Sequence, residues 1–533
     1  MNKFLSGAAI LAGAGIICRL LGVVIRIPLT NIVGNFGMGL YQMVFPLYAL
    51  LLVISSAGVP VAISKMVARE KVNGDIKQCK RILLNALVLL GAVGLIVSAL
   101  FMIFAHQIAK LQGNADVGII YLAIAPSVFI VCLISAYRGY FQGFQNMIPT
   151  ATSQIIEQIF KVGVALTLAL ILIKQSVVWA VFGAILAVTV SETIALLFLF
   201  LTYFFTRKKL KKNSPSLEGV DARKGRREPT SADGVVAKGL SWPLMWQIIK
   251  QSAPITLMAS VFPLLLVFDS MIVINILRAA GETHQSATQL CGISSGAVHT
   301  LINLPAVLGI ALATVVVPAV SSLIKQNKTD ELRAKCALAI KIIFVLSLFF
   351  AVFYLAFAEK IIDLLYHGAF LKHPEQLKTA ASLMRIESVL ILLMGLGAVF
   401  TAMMQGADKA HIPLIAIAIG GTVKIIFELI FLKTGLGIYA VSIGNVICFL
   451  IATVLNTVFA FKYIKIKKGF LDVLKKTVVL AAVLLLAVSA LVRFMPANRW
   501  WVLADGAITA LVYVGLVFFL KFFDKSEWKV FNK

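Results

Sequence analysis

Arg19 and Arg26 lie in an apolar run, ICRLLGVVIRIPL (17–29), and no acidic residue precedes Glu70. Two arginines seven residues apart project from the same side of a helix. A guanidinium donates several hydrogen bonds at once, which suits phosphate. Further along, Glu157 and Lys161 are spaced i,i+4, as are Lys424 and Glu428, so each pair shares a helix face. Glu192 and Asp269 are further acids in apolar surroundings. A charge at the bilayer centre costs about 2.5–3.5 kcal/mol on insertion scales, so each one demands a reason.

Each lysine pair reads either as a salt bridge between helices or as a lysine facing a cavity, held or tuned by its acid. Glu192 and Asp269 read as counter-ions for an arginine or lysine, as coupling groups, or as part of a cation site. Arg26 could also snorkel to lipid headgroups. A cavity shared by Arg19, Arg26, Lys161 and Lys424 would attract an anion, and a pyrophosphate is the natural candidate. Arg385 and Glu387 read as part of a hydrated outer vestibule. His106 and His299 stand isolated, and no His/Cys/Asp group has metal-ligand spacing. No catalytic residue, metal site or cofactor is expected. The cysteines Cys18, Cys79, Cys132, Cys291, Cys336 and Cys448 read as unpaired.

The elements that hold these charges are membrane helices. Of 533 residues 60% are hydrophobic and only 14% charged, and apolar stretches of spanning length recur throughout. Alternating strand patterns are absent, which argues against a β-barrel. Fourteen spans fit, at about 4–30, 38–64, 82–105, 117–139, 149–173, 178–205, 250–277, 292–324, 338–358, 378–404, 412–432, 437–461, 476–495 and 501–522. Arg19 interrupts the first run and more spans follow, so it reads as a retained helix rather than a signal peptide. The internal prolines Pro46, Pro126, Pro263, Pro305 and Pro318 are bend points.

A formal charge of +26 would suggest nucleic acid on a soluble chain. Here the basic residues cluster in alternate loops, around 65–81, 207–212, 325–335 and 462–476. The positive-inside rule places those loops, and both termini, in the cytoplasm. No nucleic-acid partner is implied. The boundaries are a first lobe at 1–205, a basic linker at 206–247, a second lobe at 248–463, and two further helices with a tail at 464–533. Membrane headgroups are sufficient partners for the basic linker.

The two lobes look duplicated. QGFQNMIP (142–149) is echoed by QGADKAHIP (405–413), and VPVAISK (59–65) by VPAVSSLIK (317–325). The offset from Gln142 to Gln405 also carries Lys161 onto Lys424. Counted from Pro149 and Pro413, both lysines lie about 16–18 Å along their helices. Two even-numbered repeats lie parallel, with a site between them near mid-membrane.

RIPLTNIVGNFGMGLYQMVFPLYALLLVISSAGVPVAISK (26–65) and RGYFQGFQNMIPTATSQIIEQIFKV (138–162) resemble the MurJ/SpoVB-type proteins, the peptidoglycan-lipid branch of the MOP (MATE-like) exporters. The resemblance covers all fourteen spans. It implies an all-α polytopic protein of the bacterial plasma membrane, with two six-helix lobes around a cationic cavity and two C-terminal helices forming a lipid-tail groove. It also implies a lipid II flippase, with lipid II or a related polyprenyl-pyrophosphate lipid as partner. Arg19 with Gly22 fits the RxxG element of the family's first helix, and Arg26 stands one residue beyond the second arginine of Gram-negative members. The acid and arginine those members carry in helix two have no match in 38–64.

The implied mechanism is alternating access, coupled to the membrane potential or a monovalent ion. One alternative is a flippase for another polyprenyl-linked oligosaccharide. Another is a cation-coupled multidrug exporter of the MATE type, which Arg19 and Arg26 argue against. A membrane glycosyltransferase would need a sizeable outer domain or an acidic catalytic loop, and the loops near 279–291 and 359–377 are short.

Overall fold

The computed structural model describes residues 3–56, 58–212, 240–371, 373–464, 467–494, 498–520 and 522–523. The described residues are helical almost throughout. The first lobe holds α1 (Lys3–Val24), α2 (Arg26–Ser56), α3 (Val59–Val72), α4 (Ile76–Leu111), α5 (Val117–Gly143), α6 (Ile148–Leu172) and α7 (Val177–Lys212). The second holds α8 (Trp242–Ala279), α9 (His284–Cys291), a π-helical turn (Gly292–Val298), α10 (His299–Lys325), α11 (Thr329–Phe370), α12 (Pro374–Gly406), α13 (His411–Phe431) and α14 (Tyr439–Ile464). The chain ends in α15 (Lys467–Phe494), a 3-10 turn (Arg499–Trp501) and α16 (Val502–Phe519).

Among the described residues thirteen stretches are long and apolar enough to cross a membrane, and the first, Gly13–Val72, is 60 residues long. That stretch contains two spans. Gly34, at φ 70° and ψ −178°, breaks α2, a conformation that costs glycine little. The Arg26 guanidinium then lies 5.4 Å from the Phe45 ring. On one straight helix those residues would stand about 28 Å apart, so the chain reverses at Gly34. Among the described residues this gives fourteen candidate crossings, in two six-helix lobes with two helices appended, and the reversal falls in the gap expected between 30 and 38.

The repeat is visible in the backbone. Gln145 (φ 60°) follows α5 and Asp408 (φ 57°) follows α12, so both copies of the QG…IP motif turn through one left-handed residue. Pro149 and Pro413 stand in the first turns of α6 and α13, where a missing N–H leaves no hydrogen bond unmade.

Some helices outrun their expected spans. Residues 359–370, expected as loop, continue α11 past kinks at Phe357 and Tyr366. The extension and the body of α11 both dock the last helix: Lys360 Nζ lies 2.9 Å from the buried Asp505 Oδ2, and the Tyr513 hydroxyl donates to the Val345 carbonyl at 2.7 Å. At the expected linker, α7 continues to Lys212 and α8 opens at Trp242. Residues 213–239 and 524–533 lie outside the described residues.

The lobes meet closely at the end of the bundle away from the basic turns. There Asn31 Nδ2 donates to the Leu365 carbonyl (2.7 Å) and Asn35 Nδ2 to Gln376 Oε1 (2.9 Å). Arg278 Nη1 donates to the Gly113 carbonyl (3.0 Å), and Asn275 Nδ2 to that of Leu111 (2.8 Å). The backbones almost touch: a Cβ at Gly39 would fall 2.1 Å from the Thr288 carbonyl oxygen, and one at Gly292 2.0 Å from that of Asn35.

Candidate functional site

The break between α1 and α2 leaves the helical path nearly intact, because Ile25 N still bonds to the Leu21 carbonyl (3.1 Å) and Leu29 N to that of Ile25 (3.1 Å). Arg19 and Arg26 therefore keep a common side. Both border a cavity of about 370 Å³ with Tyr41, Phe45, Gln158, Lys161 and, from the second lobe, Thr300 and Asn303. Arg26 Nη1 donates to Thr300 Oγ1 across the lobe boundary at 3.3 Å. Lys161 Nζ lies 5.6 Å from the Phe45 ring centre, so one aromatic ring holds both Arg26 and Lys161.

A second cavity of about 320 Å³ adjoins the first, with Arg26, Phe45, Asn303 and Met394 on both walls. It adds Gln42, Asp269, His299, Lys424 and Asn445. A third, nearly all apolar, continues past Phe262 and Met394 to Gln405 and Ala410, at the α12–α13 turn. The adjoining cavities thus extend from the closed end toward the basic end.

The charged pairs differ from the sequence expectation. Glu157 does not pair with Lys161 on its own helix. Arg138 of α5 takes it, with Nη2 2.9 Å from Glu157 Oε2 and Nε donating to Ser153 Oγ at 3.1 Å. The guanidinium reaches two acceptors at once through its fixed fork. Among the described residues Lys161 shows no ion pair. Lys424 is the opposite case: Nζ lies 2.9 Å from Asp269 Oδ1 and 3.5 Å from Glu428 Oε1. Asp269 reaches it because α8 packs closely on α13, where Leu265 fills the space beside Gly421. Asp269 and Glu428 are thus partners of one lysine, and Lys424 enters the cavity wall already neutralised.

Glu192 is buried in α7 and bonded by the Tyr48 hydroxyl rather than by an arginine or lysine. Glu387 lies in no vestibule. It is fully buried and accepts from Ser442 Oγ (2.9 Å) and Asn445 Nδ2 (3.1 Å), with His299 Nδ1 at 3.2 Å. His299 is therefore not isolated. Arg385 borders a separate cavity with Glu359, Lys360, Asp363 and Arg499.

Sequence reasoning missed Arg138, Tyr48, Phe45 and the His299–Glu387 contact. Arg138 lies in a quoted motif, so a cation beside Glu157 was there to be seen. The other contacts join residues far apart in the chain and carry no local signal. Among the described residues no three His, Cys, Asp or Glu side chains could hold a metal ion.

Two family models match. "Polysaccharide biosynthesis protein" covers residues 4–324 and "Lipid II flippase MurJ" residues 295–508. Stage V sporulation protein B of Bacillus subtilis (strain 168) is 28% identical over 99% of this chain and 97% of its own length. Lipid II flippase MurJ of the same organism is 25% identical over 96% of this chain and 92% of its own. A solved structure of lipid II flippase MurJ in an inward closed conformation superposes with a TM-score of 0.70 at 16% identity, covering 96% of this chain and 98% of that one. The chain belongs to the polysaccharide biosynthesis protein family, as a multi-pass membrane protein whose second half also matches the MurJ model.

Proposed function

We propose that this chain flips a polyprenyl pyrophosphate bearing a cell-wall saccharide, in the first instance lipid II, between leaflets by alternating access. The observation that carries this reading is Arg26. Its guanidinium stands on the wall shared by two cavities between the lobes, with Arg19 and Lys161 on the same space. An anion with two phosphates fits two arginine forks and an ammonium. The MurJ family model and the MurJ relative support the substrate class.

In this reading the basic end and both termini are cytoplasmic. The head group enters from that end, where the cavities lead to the α12–α13 turn. The opposite, closed end must then part at Asn31, Asn35 and Arg278 to release it. An inside-negative potential assists outward movement of the anion, at about 2.3 kcal/mol per charge per 100 mV.

The test is lipid II accessibility at the cell surface after depletion of this protein in cells without another flippase. Surface lipid II should fall, and neither Arg26→Ala nor Arg19→Ala should restore it although both reach the membrane. Unchanged surface lipid II would move the reading to a different saccharide on the same pyrophosphate handle. Normal growth on Arg26→Ala alone would end the reading.

A further inference from the structure

Histidine is the residue type whose charge changes nearest neutral pH, and His299 borders the chamber. His299 opens α10 directly after the π-helical turn Gly292–Val298, an irregularity frequent at functional sites. Its ring lines the cavity that also holds Arg26 and Lys424, and its side chain is 28% exposed. Nδ1 lies 3.2 Å from Glu387 Oε2. Glu387 is itself fixed by Ser442 and Asn445 and has no exposure to water. A buried carboxylate on one ring nitrogen sets the tautomer, with the proton on Nδ1, and leaves Nε2 for the chamber.

We infer that His299 is a proton-dependent contact for the anionic head group, set in place by Glu387 as a positioning residue. Neutral, Nε2 presents a lone pair to a phosphate oxygen. Protonated, it presents an N–H donor and a positive charge. Anion binding and proton binding at His299 therefore favour each other, and binding takes up a proton from solution.

The surrounding charges make this group matter. Arg26 of α2 is bonded to the neighbouring Thr300. Lys424 of α13 is already held by Asp269 of α8 and by Glu428, so it adds no free positive charge beside the ring. From α11 the Tyr366 hydroxyl donates to the Ala297 carbonyl at 3.3 Å, two residues before the histidine. Protonation of His299 thus supplies a charge that the second-lobe wall otherwise lacks. The head group would be gripped from both lobes when the histidine is protonated and mainly from the first lobe when it is not.

This inference rests on the flippase reading, and the experiment separates the two. Farnesyl pyrophosphate is titrated into the full chain in lipid nanodiscs, by calorimetry, between about pH 5.5 and 8. Two buffers of different ionisation enthalpy at each pH count the protons taken up. The probe's own titration is common to all variants, so differences between variants report on the protein. Wild type should gain about tenfold more affinity on acidification than His299→Gln does, roughly the worth of one charge-assisted hydrogen bond. It should also show a proton uptake that His299→Gln lacks. His299→Arg, permanently charged, should bind at pH 8 without that slope, and it serves as the test if the glutamine variant does not fold. Glu387→Gln should change both the pH slope and the proton uptake, which a merely structural contact would not do. A slope and proton uptake retained in His299→Gln would overturn the role of His299 and leave the flippase reading standing. No binding by folded wild type at any pH would overturn both.

Discussion

Lys161 and Lys424 occupy equivalent positions in a duplicated chain, each four residues from a glutamate, yet they meet opposite fates. In the first lobe Arg138 draws Glu157 away, and the Lys161 ammonium rests over Phe45 at the edge of the chamber. In the second lobe Asp269 and Glu428 close on Lys424, whose side chain is 10% exposed. The duplication preserved the lysine but not its electrostatic role. One copy offers charge to the chamber, while the other spends its charge on holding α8 and α13 together. The positive field between the lobes is therefore one-sided, with Arg19, Arg26 and Lys161 all on the first lobe.

Breaking the second-lobe triad should have the largest effect. Lys424→Ala leaves two carboxylates without their cation, and losing one partner of a buried pair costs about 3–5 kcal/mol. Its thermal unfolding should fall by several degrees in detergent, and Asp269→Asn added to it should recover much of the loss. A stable Lys424→Ala that merely loses anion affinity would equate the two lysines and dissolve the contrast.

Lys161→Ala should do the reverse. Stability should hold, while affinity for farnesyl pyrophosphate drops about tenfold, the lower end of what a hydrogen bond to a charged group contributes. Loss of folding with unchanged affinity would place this lysine in the class of its counterpart.

The smallest effect sharpens the comparison. Arg138→Ala releases Glu157, which the i,i+4 spacing lets swing onto Lys161. The first lobe would then imitate the second, and affinity should fall about threefold, within the few tenths to one kcal/mol typical of a part-exposed pair. Arg138→Ala with Glu157→Gln should restore it. Persistence of the loss in the double variant would show that Arg138 acts by some route other than holding the acid.

Much of the architecture was legible before any coordinates. Span length and apolarity are set by hydrocarbon thickness, so they are written locally, and the gap at 31–37 contains the reversal at Gly34. The repeated QG…IP turns are local too, and both pass through one left-handed residue. The extension of α11 beyond 358 was not legible, because its polar residues read as loop until α16 supplies Asp505 to Lys360.

The sequence by itself determined that charges lie inside a membrane bundle and that a lysine recurs in both halves. It also determined which acids share a helix face with those lysines, since each of these follows from periodicity along one helix. Only the tertiary structure decided which acid each cation keeps. That choice depends on a side chain arriving from another helix, such as Arg138 for Glu157, Asp269 for Lys424, or Glu387 for His299. At low dielectric a few ångströms decide between a neutralised charge and one available to a ligand, and such distances are a property of packing rather than of spacing along the chain.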